Sequence, residues 1–187
     1  MPRIGEAAPG FDAPIGLLRA CHRRIAERLE LLERLSGHLA THGSDESAGA
    51  AARRVLDYFD RAVTHHHDDE EVDLFPMLRR AQARTGCDAT LPDVLDQITR
   101  EHLVLAGHWG KLRPFLVAIT QGQPVRDLRC DELIQAYRAH MSVEEDLVFP
   151  LAERLLTGAE MQRLGSSMQR RRGLLGERSP GSGSSTA

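Results

Sequence analysis

The sequence predicts an all-α protein: an antiparallel up-down four-helix bundle with a short C-terminal helix and a disordered tail. Three observations carry that expectation. Apolar residues recur at alternating steps of three and four along four long segments, which is the helical period. No segment alternates apolar and polar residues with the period of a strand. Glycine and proline punctuate the chain near Gly43, Gly86 and Gly122–Pro124, between the periodic segments.

The first helix is expected from about Pro14 to Ala40, with Asp12 as its N-cap. Leu18, His22, Ile25, Leu29, Leu32, Ser36 and Leu39 form its seam, and His22 stands where an apolar residue belongs. Thr41 to Ser47, polar and glycine-containing, reads as a turn. The second helix runs from about Glu46 to Arg84, with Val55, Phe59, Ala62, His66, Glu70, Asp73 and Met77 on one face, and Gly86 ends it. The third opens after Thr90, with Asp93 placed as a capping partner. Its stripe is Leu91, Leu95, Ile98, His102, Leu105, Trp109, Leu112, Leu116 and Ile119. The fourth covers about Asp127 to Leu156, with Leu133, Tyr137, His140, Glu144, Leu147 and Leu151 inward. A fifth, short helix is expected from Ala159 to about Arg171, since Thr157 and Glu160 have capping-box spacing. The chain thus divides into an N-terminal arm (1–13), the bundle (14–157), the short helix (158–172) and a Gly/Ser-rich tail (173–187) expected to be disordered.

Composition narrows the function classes. The 187 residues suffice for one domain with a sizeable core. A net charge of −3, from 24 basic and 27 acidic residues, makes no case for nucleic-acid binding. No apolar run reaches the length of a membrane span, so none is expected. Met1 to Pro14 lacks a basic start followed by an apolar stretch, so no secretion signal is expected. Cys21, Cys87 and Cys130 are odd in number and widely spaced, against a disulfide framework or a thiolate zinc site. A reducing cytoplasm fits. The near-complete use of arginine over lysine suits a GC-rich bacterial source. The unusual count is histidine, at nine.

The second and fourth helices contain a repeat. Counting back from Pro76 and from Pro150, His lies at minus 10, Glu at minus 6 and minus 5, and Phe at minus 1. Each proline removes a helical hydrogen bond, so both helices are expected to bend about two turns beyond the His–Glu pair. Residues i and i+4 share a helix face, so His66 with Glu70, and His140 with Glu144, aim a nitrogen and a carboxylate at one point. His22 and His102 add one imidazole each. The levels agree. His22 and His66 lie 21 and 23 residues from Gly43, His66 and His102 lie 20 and 16 from Gly86, and His102 and His140 lie 20 and 18 from Gly122.

A single inward histidine is usually a satisfied core residue, and a single HxxxE is usually a surface pair. Four core-facing histidines and two core-facing glutamates at one level are different, because six such groups are hard to satisfy by pairing alone. The sequence therefore predicts a two-metal site built from His22, His66, Glu70, His102, His140 and Glu144. Six protein groups are too many for one tetrahedral zinc. Mixed nitrogen and oxygen donors, two imidazoles and two bridging carboxylates per ion, suit two iron ions ahead of manganese or zinc.

His22, His66xxxGlu70 with Leu74-Phe75-Pro76, Glu101-His102, and His140xxxGlu144-Glu145 with Phe149-Pro150, in that order, resemble the hemerythrin-like (HHE cation-binding) family over about residues 14–156. The resemblance implies a non-haem di-iron site with an oxo or hydroxo bridge that binds O2, peroxide or NO. One departure bears on function. Oxygen-carrying members have a second histidine one turn after the third-helix ligand, and here Ala106 stands there. They also place the fourth-helix carboxylate five residues after its His, which would select Glu145 here. A four-His, two-Glu site is the better match, less suited to stable O2 carriage than to peroxide, NO or redox chemistry, or to sensing.

The remaining candidates have plainer readings. His108 is off the seam. His65 and His67 flank His66 on other faces, although His67 has HxxxE spacing to Glu71. Glu71 and Glu145 belong to a solvated face or support the ligands, with Glu145 an alternate bridge. His38 and His42 read as a surface pair. Tyr137 and Trp109 face inward as core residues, and Arg170 to Arg172 read as a solvated helix end. The expected function is reaction with a small diatomic or peroxide ligand. A non-catalytic iron or redox sensor or metal store is the second reading, and a zinc-bound structural bundle the third.

Overall fold

The structure, a computed structural model, describes residues 9–174; residues 1–8 and 175–187 lie outside it, and with them nearly all of the expected disordered tail. The described residues form five helices and their connectors, with no strand among them. We number them α1 (Pro14–His42), α2 (46–85), α3 (Leu91–Thr120), α4 (131–155) and α5 (Gly158–Arg171). No helix among them is long and apolar enough to cross a membrane.

Local chemistry sets the helix ends, not always as expected. Asp12 does not cap α1; Ala13 holds that position without a side-chain bond, and Pro14 starts the helix where its missing N–H is no loss. Asp45 caps α2 by accepting from the Ala48 amide at 2.8 Å. The Thr90–Asp93 pairing does not form, because the Thr90 hydroxyl donates to Asp88 Oδ1 at 2.6 Å. α4 begins at Asp131 and not near Asp127: residues 123–130 stay non-helical, with Val125, Leu128 and Cys130 buried. At α5 the capping box is complete, with Thr157 Oγ1 accepting from the Glu160 amide and Glu160 accepting from the Thr157 amide at 2.9 Å.

The interior consists of two apolar clusters rather than one. The first holds Ile25–Leu39 of α1, Ala48–Val63 of α2, Leu105–Ile119 of α3 and Leu133–Met141 of α4. The second holds Ile15 and Leu18, Leu74–Ala81, Leu91–Ile98, Val148–Leu156, and Leu164 and Met168 of α5. α1 and α3 enter the second cluster with their N-terminal turns, α2 and α4 with their C-terminal parts. On these four helices the gap between the clusters contains His22, His66, Glu70, His102 and Glu144, and His140 lies at its edge beside Met141.

The two helices that carry the repeated Phe-Pro widen into π turns, at Asp69–Leu74 and Glu144–Val148, just ahead of Phe75-Pro76 and Phe149-Pro150. The distortion thus begins at the glutamates and not two turns beyond them. A wider turn relieves the clash and lost hydrogen bond that proline imposes on the preceding turn. It also advances the buried face by one residue: Leu74 and Val148 are fully buried, whereas the expected Asp73 and Leu147 are only half-buried. α2 has a further π turn at Phe59–Val63.

α5 packs on α1 and on the π turn that carries Glu70. Asp69, fully buried, is bound by Arg171 and by Arg172, whose Nη2 lies 2.7 Å from Asp69 Oδ2. Arg171 also reaches Asp73 at 2.6 Å, and Ser167 donates to Asp73 at 2.9 Å. Arg171 and Arg172 are therefore not a solvated helix end. Gly165 lets α5 approach so closely that an added Cβ would land on the Phe11 carbonyl.

Candidate metal centre

His22 comes from α1, His66 and Glu70 from α2, His102 from α3, and His140 and Glu144 from α4; all six are buried, five in the gap between the apolar clusters and His140 at its edge. The imidazoles face each other in two pairs. His22 Nε2 and His66 Nε2 are 3.0 Å apart, and His102 Nε2 and His140 Nε2 are 3.2 Å apart. The carboxylates span the pairs. Glu70 places Oε1 3.4 Å from His66 Nε2 and Oε2 3.5 Å from His102 Nε2. Glu144 places Oε2 3.1 Å from His22 Nε2 and 3.3 Å from His140 Nε2.

None of these carboxylate contacts has hydrogen-bond geometry. All four oxygens of Glu70 and Glu144 are buried and lack a hydrogen-bond partner. An unpaired buried carboxylate is strongly disfavoured, and two side by side more so. Burial, followed by the Glu144 charge, pushes the Glu70 carboxyl well above the usual range. His66 and His102 shift the opposite way. Burial, then the neighbouring His22, drives His66 well below its ordinary value, and burial drives His102 down to about 2. The His66 and His102 rings are thus held neutral, the form that binds a metal. A divalent cation between the pairs would supply what the carboxylate oxygens lack, so the donor set fits a metal centre.

The outer nitrogens are held as metal-binding imidazoles usually are, by carboxylates. His22 Nδ1 lies 3.0 Å from Glu145 Oε1, His102 Nδ1 2.6 Å from Glu71 Oε1, and His140 Nδ1 3.1 Å from Glu101 Oε2. Each contact favours the tautomer that donates through Nδ1 and leaves the Nε2 lone pair facing the centre. Arg19 holds the other oxygen of Glu145, and Gln97 donates to Glu101 at 2.8 Å. Only His66 Nδ1 among these four imidazoles lacks a partner. The sequence pointed to a support role for Glu71 and Glu145 but not for Glu101. The signal was its position beside His102, one residue from a ligand candidate, as Glu71 and Glu145 are from Glu70 and Glu144.

A family model for the hemerythrin HHE cation binding domain matches residues 13–152. The chain belongs to that family. The match covers all four helices that contribute to the centre, including every residue of the His/Glu layer. A Haemophilus influenzae protein described only as uncharacterized shares 29% identity over 164 residues, covering 87% of this chain and 91% of the relative.

Within this hemerythrin-like domain, the other histidines fall apart. His38 and His42 stack at 4.5 Å near the end of α1, with His38 paired to Asp45. His108 approaches Glu132 at 3.5 Å, away from the cluster. His67 is the exception. One ligand atom each from His67, His102 and His140 lie within 4.8 Å of one another, as do those of His22, His66, Glu70 and Glu144. Tyr137 is buried, with its hydroxyl pushed up first by burial and then by the charges of Glu144 and Glu70. Trp109 stacks on Phe59 and donates to Asp60 at 3.1 Å, part of the wall and not of the centre.

Proposed function

We propose that this domain is a non-haem di-iron protein that binds or reacts with O2, peroxide or NO, with His22, His66, Glu70, His102, His140 and Glu144 as its ligands. The observation that carries the reading is the four partnerless carboxylate oxygens of Glu70 and Glu144, set between two facing imidazole pairs. His22 and His66 would serve one ion, His102 and His140 the other, with both glutamates bridging. Two iron ions with an oxo or hydroxo bridge would supply redox chemistry and a binding position for the small ligand. The chain's own groups do the rest. Glu145, Glu71 and Glu101 orient three of the imidazoles, and the two apolar clusters keep bulk water from both sides of the layer. The alternating entry of α1 to α4 into the second cluster supports an up-down antiparallel four-helix arrangement. A cytoplasmic setting accords with three unpaired thiols.

A second reading is a sensor or metal store. It is favoured by Arg171 and Arg172, which tie α5 to Asp69, the residue next to Glu70. Metal content with the absorption spectrum of the oxidised protein tests the common ground. About two irons per chain, bound by the six protein groups argued above, with oxo-bridge absorption bands, supports both readings; zinc alone refutes them. Turnover of peroxide or NO that Glu70→Ala abolishes supports the first, and its lack in the iron-loaded wild type supports the second.

A further inference from the structure

We propose that Trp109 is an electron port for the centre: Phe59, Tyr137 and His67 form an aromatic path along which single electrons pass between Trp109 and His102. The inference rests on the di-iron reading above and assigns a role to groups outside its six ligands.

The path runs unbroken from the centre to the surface. His67 lies on α2, and its ring stacks on that of His102, with centroids 3.9 Å apart and planes 12° apart. That is contact between ring faces; the in-plane lone pairs of the two rings cannot converge on one ion. Tyr137 of α4 lies nearly parallel to His67, with centroids 6.5 Å apart and planes 20° apart. Phe59 of α2 meets Tyr137 edge to face at 5.4 Å, and Trp109 of α3 stacks on Phe59 at 4.7 Å. Phe59 and Tyr137 are buried, whereas Trp109 is only partly buried where it packs against the first apolar cluster.

Electron tunnelling weakens steeply with distance, so rings in contact carry an electron where one long jump would not. Among these rings the indole is the one that holds a positive charge without losing a proton, and its surroundings favour that charge. Its N–H donates to Asp60 Oδ1 at 3.1 Å, and Arg113 Nη2 donates to Asp60 Oδ2 at 2.9 Å. The Arg113 bond, and then the indole N–H, hold the Asp60 carboxyl below its usual range and so keep it ionised. A carboxylate at the indole edge attracts positive charge on the ring. The electron count closes with peroxide as oxidant. One H2O2 takes up two electrons and two protons and becomes two waters. Each electron leaves the indole, which becomes a radical cation and keeps its N–H proton. A soluble one-electron reductant of the ascorbate class replaces each electron, and solvent supplies the protons.

Trp109 is the chain's one tryptophan, so ring-deuterated tryptophan labels it alone. Iron-loaded full-length protein is mixed with peroxide, without reductant, and frozen rapidly for EPR. A radical signal narrowed by the label is expected, together with oxygen addition at Trp109 by mass spectrometry, and ascorbate should suppress both. Trp109→Phe, which keeps a ring against Phe59, should lose the indole signal. Phe59→Leu should weaken it severalfold by breaking the path, and Asp60→Asn, a surface change that leaves the core intact, should shorten its lifetime. An iron-loaded wild type that gives no indole radical overturns the proposal and leaves the di-iron reading intact. Equal Trp109 oxidation in metal-free protein under the same peroxide also overturns it, since the oxidation then owes nothing to the centre. A wild type that holds no iron overturns both.

Discussion

Replacing Glu70 by glutamine should stabilise the metal-free protein and weaken its response to metal. Glu70 is fully buried, both of its oxygens lack hydrogen-bond donors, and the Glu144 carboxylate stands nearby. Relieving one unsatisfied buried group is worth about 1–3 kcal/mol. For a chain of this size each kcal/mol moves the melting temperature by about 2–4 °C, so chelator-treated Glu70→Gln should melt about 2–12 °C higher near neutral pH. The pH dependence has a definite sign. In the metal-free fold Glu70 loses its proton well above the usual value of 4.5. The folded chain then binds more protons than the unfolded one, and this contribution to stability falls as pH rises from that value through the raised one. His66, His67 and His102, lowered from 6.5, act oppositely, their contribution being lost as pH falls below that value. The informative quantity is therefore the difference between variant and wild type at each pH, which should shrink toward acid. With metal present the order reverses. A ligand at about 100 times its dissociation constant stabilises the fold by about 2.7 kcal/mol, and Glu70→Gln should lose much of that gain. Calorimetry with and without ferrous iron reads both effects. A lower melting temperature for the metal-free variant, or an equal metal-induced gain, would refute the reasoning.

Three further outcomes follow from contacts around the centre. Glu145→Gln should lower metal affinity by about 10- to 100-fold in chelator competition, because it weakens the anchor of His22 Nδ1 while leaving the ligands in place. Asp69→Ala should destabilise the fold by about 3–5 kcal/mol in urea, since Arg171 and Arg172 lose the buried carboxylate that pairs them. Gly165→Ala should push α5 off Phe11 at a cost of about 1–3 kcal/mol, seen as faster proteolysis near the α5 connection.

The six central residues were legible because helical periodicity is a strong signal and each broke an apolar seam at a matching distance from a turn. The π turns ahead of Pro76 and Pro150 were not, since they arise from how each helix accommodates its proline in three dimensions. That is why Asp73 and Leu147 were expected inside where Leu74 and Val148 are found. Arg171 and Arg172 looked like a basic helix end because their partner, Asp69, lies about a hundred residues earlier in the chain. His67 was assigned to another face of α2, and nothing in spacing alone reveals that this face turns toward His102. The start of α4 differs from the expected one because Val125, Leu128 and Cys130 are buried by tertiary contacts in a segment without a helical period of its own to read.

The polar layer between the two apolar clusters also bears on how the molecule opens. Each cluster draws on every one of α1 to α4, yet along each helix the two are joined only through the turn or two that carries the imidazoles and carboxylates. Apolar burial, the strongest source of cooperativity, is interrupted at that level. Ion occupancy then acts as the mechanical coupling between two halves: ligands gathered from four helices bind them into one folding unit. Amide exchange in α5 and in the second cluster should accordingly report the state of a centre that those amides never touch.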